Sequence, residues 1–258
     1  MAVLETNGET IHYLKEGNGP VLALVHSLGS NASLWRPQID ALRDRYTVIA
    51  MDIRGHGGSS AKGDITVEAA ASDLAALLSH MGAAHCNLVA VSTGGPIALT
   101  LAAEQPNLVH KLVLADTYAK PPEGSKELVE ATAEAIAYVS MTEFGRQYAA
   151  ETLLWTTSLD IQDELAASIA AIDPKVYIKM MRSVLLQDFS AKLAGVKAPT
   201  LVLIGGEDTI APASCSEALV AGIANAVFEV VSDAGHLSCI DSPTAFNSAL
   251  VNFIGAAK

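Results

Sequence analysis

The stretch Leu88-Val89-Ala90-Val91-Ser92-Thr93-Gly94-Gly95-Pro96 decides how this chain is read, because an apolar run ends at a serine and, after one threonine, two glycines. A strand that turns sharply into a helix has this outline. The serine hydroxyl projects from the sheet edge, and only small neighbours let strand and helix approach so closely. The common pattern is G-x-S-x-G; here it reads A-V-S-T-G, with Ala90 a one-methyl departure. Pro96 falls in the first turn of the expected helix, where N–H groups lack helical partners, so it favours the helix start. Taken alone, Ser-Thr-Gly-Gly is equally compatible with an ordinary loop, and the remaining segments carry the decision.

Outward from that stretch, Val21–Val25, Tyr46–Met51, Leu112–Ala115 and Leu201–Ile204 are further continuous apolar runs, and Val227–Val231 adds another. Such runs are expected of parallel strands covered on both faces. Helical spacing separates them. Val67, Ala70, Leu74, Leu77, Leu78 and Met81 share one face and stop at Gly82, and Ala245, Ala249, Leu250, Phe253 and Ile254 share another. At the N-terminus, Ala2–Glu5 and Thr10–Leu14 flank Asn7-Gly8, a dipeptide suited to a tight hairpin. Alternating strand and helix implies an α/β fold with a mostly parallel sheet. The interval from Tyr118 to Leu186 is too long for a simple crossover and reads as helical, with Pro121, Pro122 and Gly124 at its entry. The expected organisation is therefore a core of residues 1–117 and 187–258 interrupted by a helical cap at 118–186, a lid that excludes water and shapes a pocket.

Composition limits the function. Half of the 258 residues are hydrophobic, enough for a sizeable core in one large domain. Lys and Arg total 16 against 28 Asp and Glu, and the formal charge of −12 disfavours nucleic acid or an anionic membrane as partner. The first residues lack the basic and apolar regions of a secretory signal, and no apolar run is long enough to cross a bilayer. A soluble, cytoplasmic protein acting on a small molecule is expected, and self-association into a homo-oligomer stays open. Cys86, Cys215 and Cys239 are widely spaced, without a C-x-x-C pair, so neither disulfides nor a metal site is indicated.

Two segments supply what a serine nucleophile needs, each after a strand, where open α/β sheets place their ligands. In Ile204-Gly205-Gly206-Glu207-Asp208 the acid that would orient an imidazole is Asp208, with Glu207 as the adjacent rival and Asp116 as the remote one. In Val231-Ser232-Asp233-Ala234-Gly235-His236-Leu237-Ser238 the base is His236. His26 and His56 sit beside motif glycines and are better read as loop anchors. Cys239 is read as a packed thiol.

The chain order Ser92, Asp208, His236 resembles that of α/β-hydrolases. The resemblance extends to Val25-His26-Ser27-Leu28-Gly29-Ser30 followed by Trp35, similar to that family's H-G-x oxyanion loop with Ser27 in place of glycine, and to Asp52-Ile53-Arg54-Gly55-His56-Gly57-Gly58-Ser59, similar to its D-x-R-G-x-G-x-S segment. It implies the capped α/β-hydrolase fold and an esterase or lactonase working without metal or organic cofactor. The oxyanion donors would be the backbone N–H groups of Leu28 and Thr93. Ser-Leu-Gly and His236-Leu237-Ser238 most resemble 3-oxoadipate enol-lactonases, while Ser-Thr-Gly-Gly also resembles haloperoxidase-type esterases and perhydrolases. A short-chain carboxylesterase is the alternative, and a ligand receptor on the same fold is the alternative of another class. For the pocket, Ser27, Tyr148, Trp155 and Met181 are expected to contact substrate, though Tyr148, Trp155, Met180 and Met181 equally suit packing of cap on core. An oxoadipate lactone carries a carboxylate, so its pocket should offer a cation. Arg146, Lys179 and Arg182 are the cap's candidates, each also readable as a solvated helix charge.

Overall fold

The computed structural model describes residues 1–255, so residues 256–258 of the expected core lie outside the described residues. Eight strands form one sheet in the order β1-β2-β4-β3-β5-β6-β7-β8. They are β1 (Ala2–Thr6), β2 (Glu9–Glu16), β3 (Val21–Val25), β4 (Thr47–Met51), β5 (Cys86–Val91), β6 (Val109–Ala115), β7 (Thr200–Gly205) and β8 (Ala226–Val231). β1 and β2 are an antiparallel hairpin whose turn residues Asn7 and Gly8 both have positive φ, and β2 runs antiparallel to β4. From β4 to β8 every pairing is parallel. The apolar runs read from sequence are the buried centre of this sheet: β5 and β7 are buried along their whole length.

The helices are α1 (Arg36–Leu42), α2 (Val67–His80), α3 (Gly94–Glu104), α4 (Ser125–Tyr138), α5 (Met141–Thr152), α6 (Leu159–Ala170), α7 (Pro174–Leu185), α8 (Ala213–Gly222), α9 (Ser238–Asp241) and α10 (Pro243–Ile254). Thr66 caps α2 by accepting a hydrogen bond from the Ala69 N–H, and Gly82, with φ of 67°, follows its end. α3 is buried from Gly94 to Ala102, packed on β3, β5, β6 and α2. The segment between β6 and β7 holds α4 to α7, in which α5 packs on α6 and α4 on α7. It enters through an irregular stretch that ends at Gly124, whose φ of 83° precedes the first turn of α4.

Parallel register brings the strand ends that carry chemistry to one sheet edge. Val91 lies beside Ala115, Ala115 beside Leu203, and Gly205 beside Val231. Ser92, Asp116, Asp208 and His236 all follow these ends. Ser92 and Asp116 adopt left-handed backbone with φ of 52° and 50°, and Asp233 does so at 53°. Non-glycine residues hold such conformations only where their surroundings enforce them. The enforcing contact at Ser92 is the approach of α3 to β3: a Cβ on Gly94 would lie 2.5 Å from the Val25 carbonyl oxygen. Backbone cannot yield as a flexible side chain would. Gly94→Ala is therefore expected to cost about 2 kcal/mol of stability, read as a fall in the urea midpoint.

Candidate active site

Ser92 is the first residue beyond β5, and its backbone is held on both sides. Its N–H donates to the Ala115 carbonyl at 2.9 Å, and its carbonyl accepts from the Gly95 N–H at 2.8 Å and from Thr117 Oγ1 at 2.6 Å. The hydroxyl lies 2.8 Å from His236 Nε2. His236 Nδ1 lies 2.9 Å and 3.1 Å from the two carboxylate oxygens of Asp208. A carboxylate only accepts, so Nδ1 carries the proton and Nε2 is left to accept from the Ser92 hydroxyl. Asp208 is fixed in turn by the backbone N–H groups of Ile210 and Ala211, which donate to its Oδ1. Glu207, the adjacent rival, is exposed.

Asp116, the remote rival, lies at the end of β6 and does not touch the imidazole. Its Oδ1 accepts from the Gly205 N–H at 2.9 Å, and its Oδ2 accepts from the N–H and hydroxyl of Ser238 at 2.9 Å and 2.7 Å. It thus ties the end of β7, three residues before Asp208, to the start of α9, two residues after His236. Thr117 beside it holds the Ser92 carbonyl, so Asp116-Thr117 braces all three segments. Asp241 supplies a second brace. Its Oδ2 accepts from the Gly235 N–H at 2.8 Å, and its Oδ1 accepts from Thr157 Oγ1 and the Leu154 N–H, joining the histidine loop to the stretch between α5 and α6.

Burial alone would push His236 below the ordinary histidine value, but the hydrogen bond and charge of Asp208, with the charges of Asp116 and Asp241, outweigh it and leave the imidazole raised. Burial pushes Asp116 up to about 7, opposed by His236 and by the Ser238 hydrogen bonds. The loop after β3 is organised by neutral groups. Burial holds His26 down to about 4 and His56 down to about 3. His26 therefore donates from Nδ1 to the Ser27 carbonyl at 2.7 Å and accepts the Ile53 N–H at Nε2. Ser30 donates its N–H and hydroxyl to that same carbonyl. This bracing sets Leu28 beside the nucleophile, where Leu28 and Thr93 line one cavity with Ser92 and His236.

That cavity measures about 490 Å³, and Tyr148 and Met181 line it from the helical segment. A larger one, about 730 Å³, lies between α6 and the loops after β3 and β4 and contains none of Ser92, Asp208 and His236. Trp155, Arg146 and Ser27, expected in the pocket, do not line the cavity that holds Ser92. Trp155 is 89% exposed, because the bonds of Leu154 and Thr157 to Asp241 turn the two intervening residues outward. Arg146 is exposed because its neighbour Gly145 faces α6, where a Cβ would lie 2.6 Å from the Ala166 carbonyl oxygen. Ser27 is buried with its hydroxyl 3.1 Å from that of Ser30, within the loop. Lys179 and Arg182 are exposed, since α7 buries Tyr177, Met180, Met181 and Val184. Cys239 is buried, and its thiol is pushed up by burial. Sequence reasoning missed Tyr118, Tyr177 and Ile210 in the cavity wall and the braces Thr117 and Asp241. Among the described residues no cluster of His, Cys, Asp and Glu could hold a metal ion, and no helix is long and apolar enough to cross a membrane.

Comparison with known proteins agrees with this fold. The profile of the alpha/beta hydrolase fold matches residues 20–243. Over 242 residues, 91% of this chain and 88% of the relative, the chain is 28% identical to 3-oxoadipate enol-lactonase 2 of Acinetobacter baylyi. It is also 28% identical to a putative carbamate hydrolase, RutD, of Caulobacter vibrioides, covering 96% of each. The crystal structure of an enol-lactonase from Burkholderia xenovorans superposes with a TM-score of 0.89 at 26% identity, covering 98% of this chain and 99% of that one.

The two candidate acids separate by substitution. Asp208→Asn is expected to lower ester turnover by about 10⁴-fold, because the imidazole loses its oriented tautomer. Asp116→Asn is expected to lower it by about tenfold to a hundredfold, through misplacement alone. For the unaltered protein, kcat/KM should fall on the acid side with a midpoint above 6.5, the ordinary histidine value, since a base must be neutral and His236 is raised. A pH profile on an uncharged ester measures it.

Proposed function

The chain belongs to the alpha/beta hydrolase family, and from that premise we propose that it hydrolyses small-molecule carboxylic esters or lactones through an acyl-enzyme on Ser92. The observation that carries this reading is the unbroken hydrogen-bonded line from Ser92 Oγ through His236 to the Asp208 carboxylate. His236 takes the hydroxyl proton as Ser92 Oγ attacks the carbonyl carbon, and the Asp208 carboxylate stabilises the imidazolium that forms. The carbonyl oxygen becomes an oxyanion beside the Leu28 and Thr93 N–H groups, each such donor being worth about 3 kcal/mol.

As the tetrahedral species collapses, His236 returns the proton to the departing oxygen. In an ester that oxygen leaves with the alcohol; in a lactone it stays tethered as the new hydroxyl. Water then attacks the acyl-serine with His236 again as base, and the acyl–Oγ bond breaks as His236 passes that proton to Ser92 Oγ, releasing the acid. The helical segment at residues 118–186 acts as a cap, closing over the cavity so that the oxyanion forms away from bulk water. Relatives named as enol-lactonases support a lactone among the substrates.

Ser92→Ala is expected to lower hydrolysis of ethyl and nitrophenyl esters and of simple lactones by about 10⁴-fold or more, with an unchanged circular dichroism spectrum. Steady-state turnover of both proteins measures it. Near-normal hydrolysis by the variant would exclude Ser92 as nucleophile, and one slow event per wild-type molecule would mark a receptor.

A further inference from the structure

The charges around the cavity bear on which substrates enter it. Among the described residues no lysine or arginine lines the space that holds Ser92 and His236, and the acidic side chain in its wall is the exposed Glu123. Behind the imidazole stand the carboxyl groups of Asp208, Asp116 and Asp241, all of which act on His236. The chain as a whole carries −12. A carboxylate brought into this space would leave water for surroundings that offer it no cation and several anions.

What the wall does offer is uncharged. Tyr118, Tyr148 and Tyr177 are among its lining residues, and burial keeps their phenol groups protonated, Tyr148 being pushed up to about 12. Leu128, Val184, Leu185 and Ile210 supply apolar surface, and Leu128 is half exposed at the rim. Lys120, Lys126 and Arg182 line an adjoining depression of about 930 Å³, which shares Gly124 and Leu185 with the cavity but holds neither Ser92 nor His236. There they stand among Glu127, Glu130 and Asp188.

We infer that this site selects uncharged esters or lactones, whose polar substituents are hydroxyl, ether or carbonyl oxygens, and rejects substrates bearing a carboxylate on the acyl chain. This rests on the proposed hydrolysis at Ser92. It separates the chain from relatives named for 3-oxoadipate enol-lactone, a substrate that retains a free carboxylate. An unpaired charge loses its hydration on entry and gains no partner, whereas a neutral oxygen of similar size can hydrogen-bond to a phenol.

The test compares ethyl butyrate, monoethyl succinate and diethyl succinate, which share a leaving group and differ at the far end of the acyl chain. At neutral pH, kcat/KM for monoethyl succinate is expected to lie about 100-fold below that of either neutral ester. Leu128→Lys, which adds a cation at the rim, is expected to raise the ratio of monoethyl succinate to ethyl butyrate by about tenfold. Equal or faster turnover of monoethyl succinate would overturn the inference, as would a preference for it that disappears in Arg182→Ala. If none of the three esters turns over, the hydrolase reading fails separately. Saturation-transfer NMR on Ser92→Ala then reads the selection directly. Binding of diethyl succinate without monoethyl succinate upholds it, and equal binding, or no binding of either, overturns it.

Discussion

Ser92 stands in left-handed backbone where α3 lies almost in contact with β3, and that close approach governs the rest of the site. With Gly94 packed on the Val25 carbonyl and a Cβ at Gly95 excluded by Thr117, the helix start has nowhere else to go. The same packing sets Thr93 next to the loop after β3, so Leu28 and Thr93 face one cavity. Nucleophile and oxyanion donors are thus placed by one backbone contact between strand and helix. Side-chain choice matters less here than the absence of side chains, since each atom added at the elbow would separate the two elements.

The second dependence is electrostatic. His236 is buried, which by itself would hold it too neutral to accept a proton readily, and carboxyl groups reverse that tendency. Asp208 acts by contact. Asp116 and Asp241 act at longer range while bracing the loop that carries the imidazole. Asp241 also bonds the stretch between α5 and α6, so the helical segment and the base share one anchor. The same acidic surroundings that favour an imidazolium disfavour an anionic substrate, which links the chemistry of the base to the selectivity of the cavity.

Much of this was legible in the sequence, for a physical reason. Strands covered on both faces must be apolar along their length, and β3, β5, β6 and β7 therefore announce themselves within a few residues of their true ends. The short helices α1 and α8 do not, because few turns give little periodicity to read. The strand-Gly-Gly-Glu-Asp segment and the chain order favour Asp208 over Asp116 in the sequence, although both follow strands that end at the same edge, and the distances to His236 separate them in space. The pocket was the least legible part. Whether Trp155, Arg146 or Tyr148 faces substrate depends on how α5 and α6 pack, and a close approach at Gly145 turned Arg146 outward while Tyr148 lines the cavity. Thr117 and Asp241 carried no motif at all, because a brace is defined by what it meets in space.

The most direct test of Ser92 as an activated nucleophile is covalent. The unaltered protein is treated with a serine-reactive fluorophosphonate, and the digested peptides are weighed by mass spectrometry. One adduct per chain on the peptide containing Ser92, formed in step with loss of ester hydrolysis and absent from Asp208→Asn on the same timescale, is the expected result. No adduct at Ser92, or full labelling there with hydrolysis intact, would contradict the assignment of this serine as the group that attacks the carbonyl.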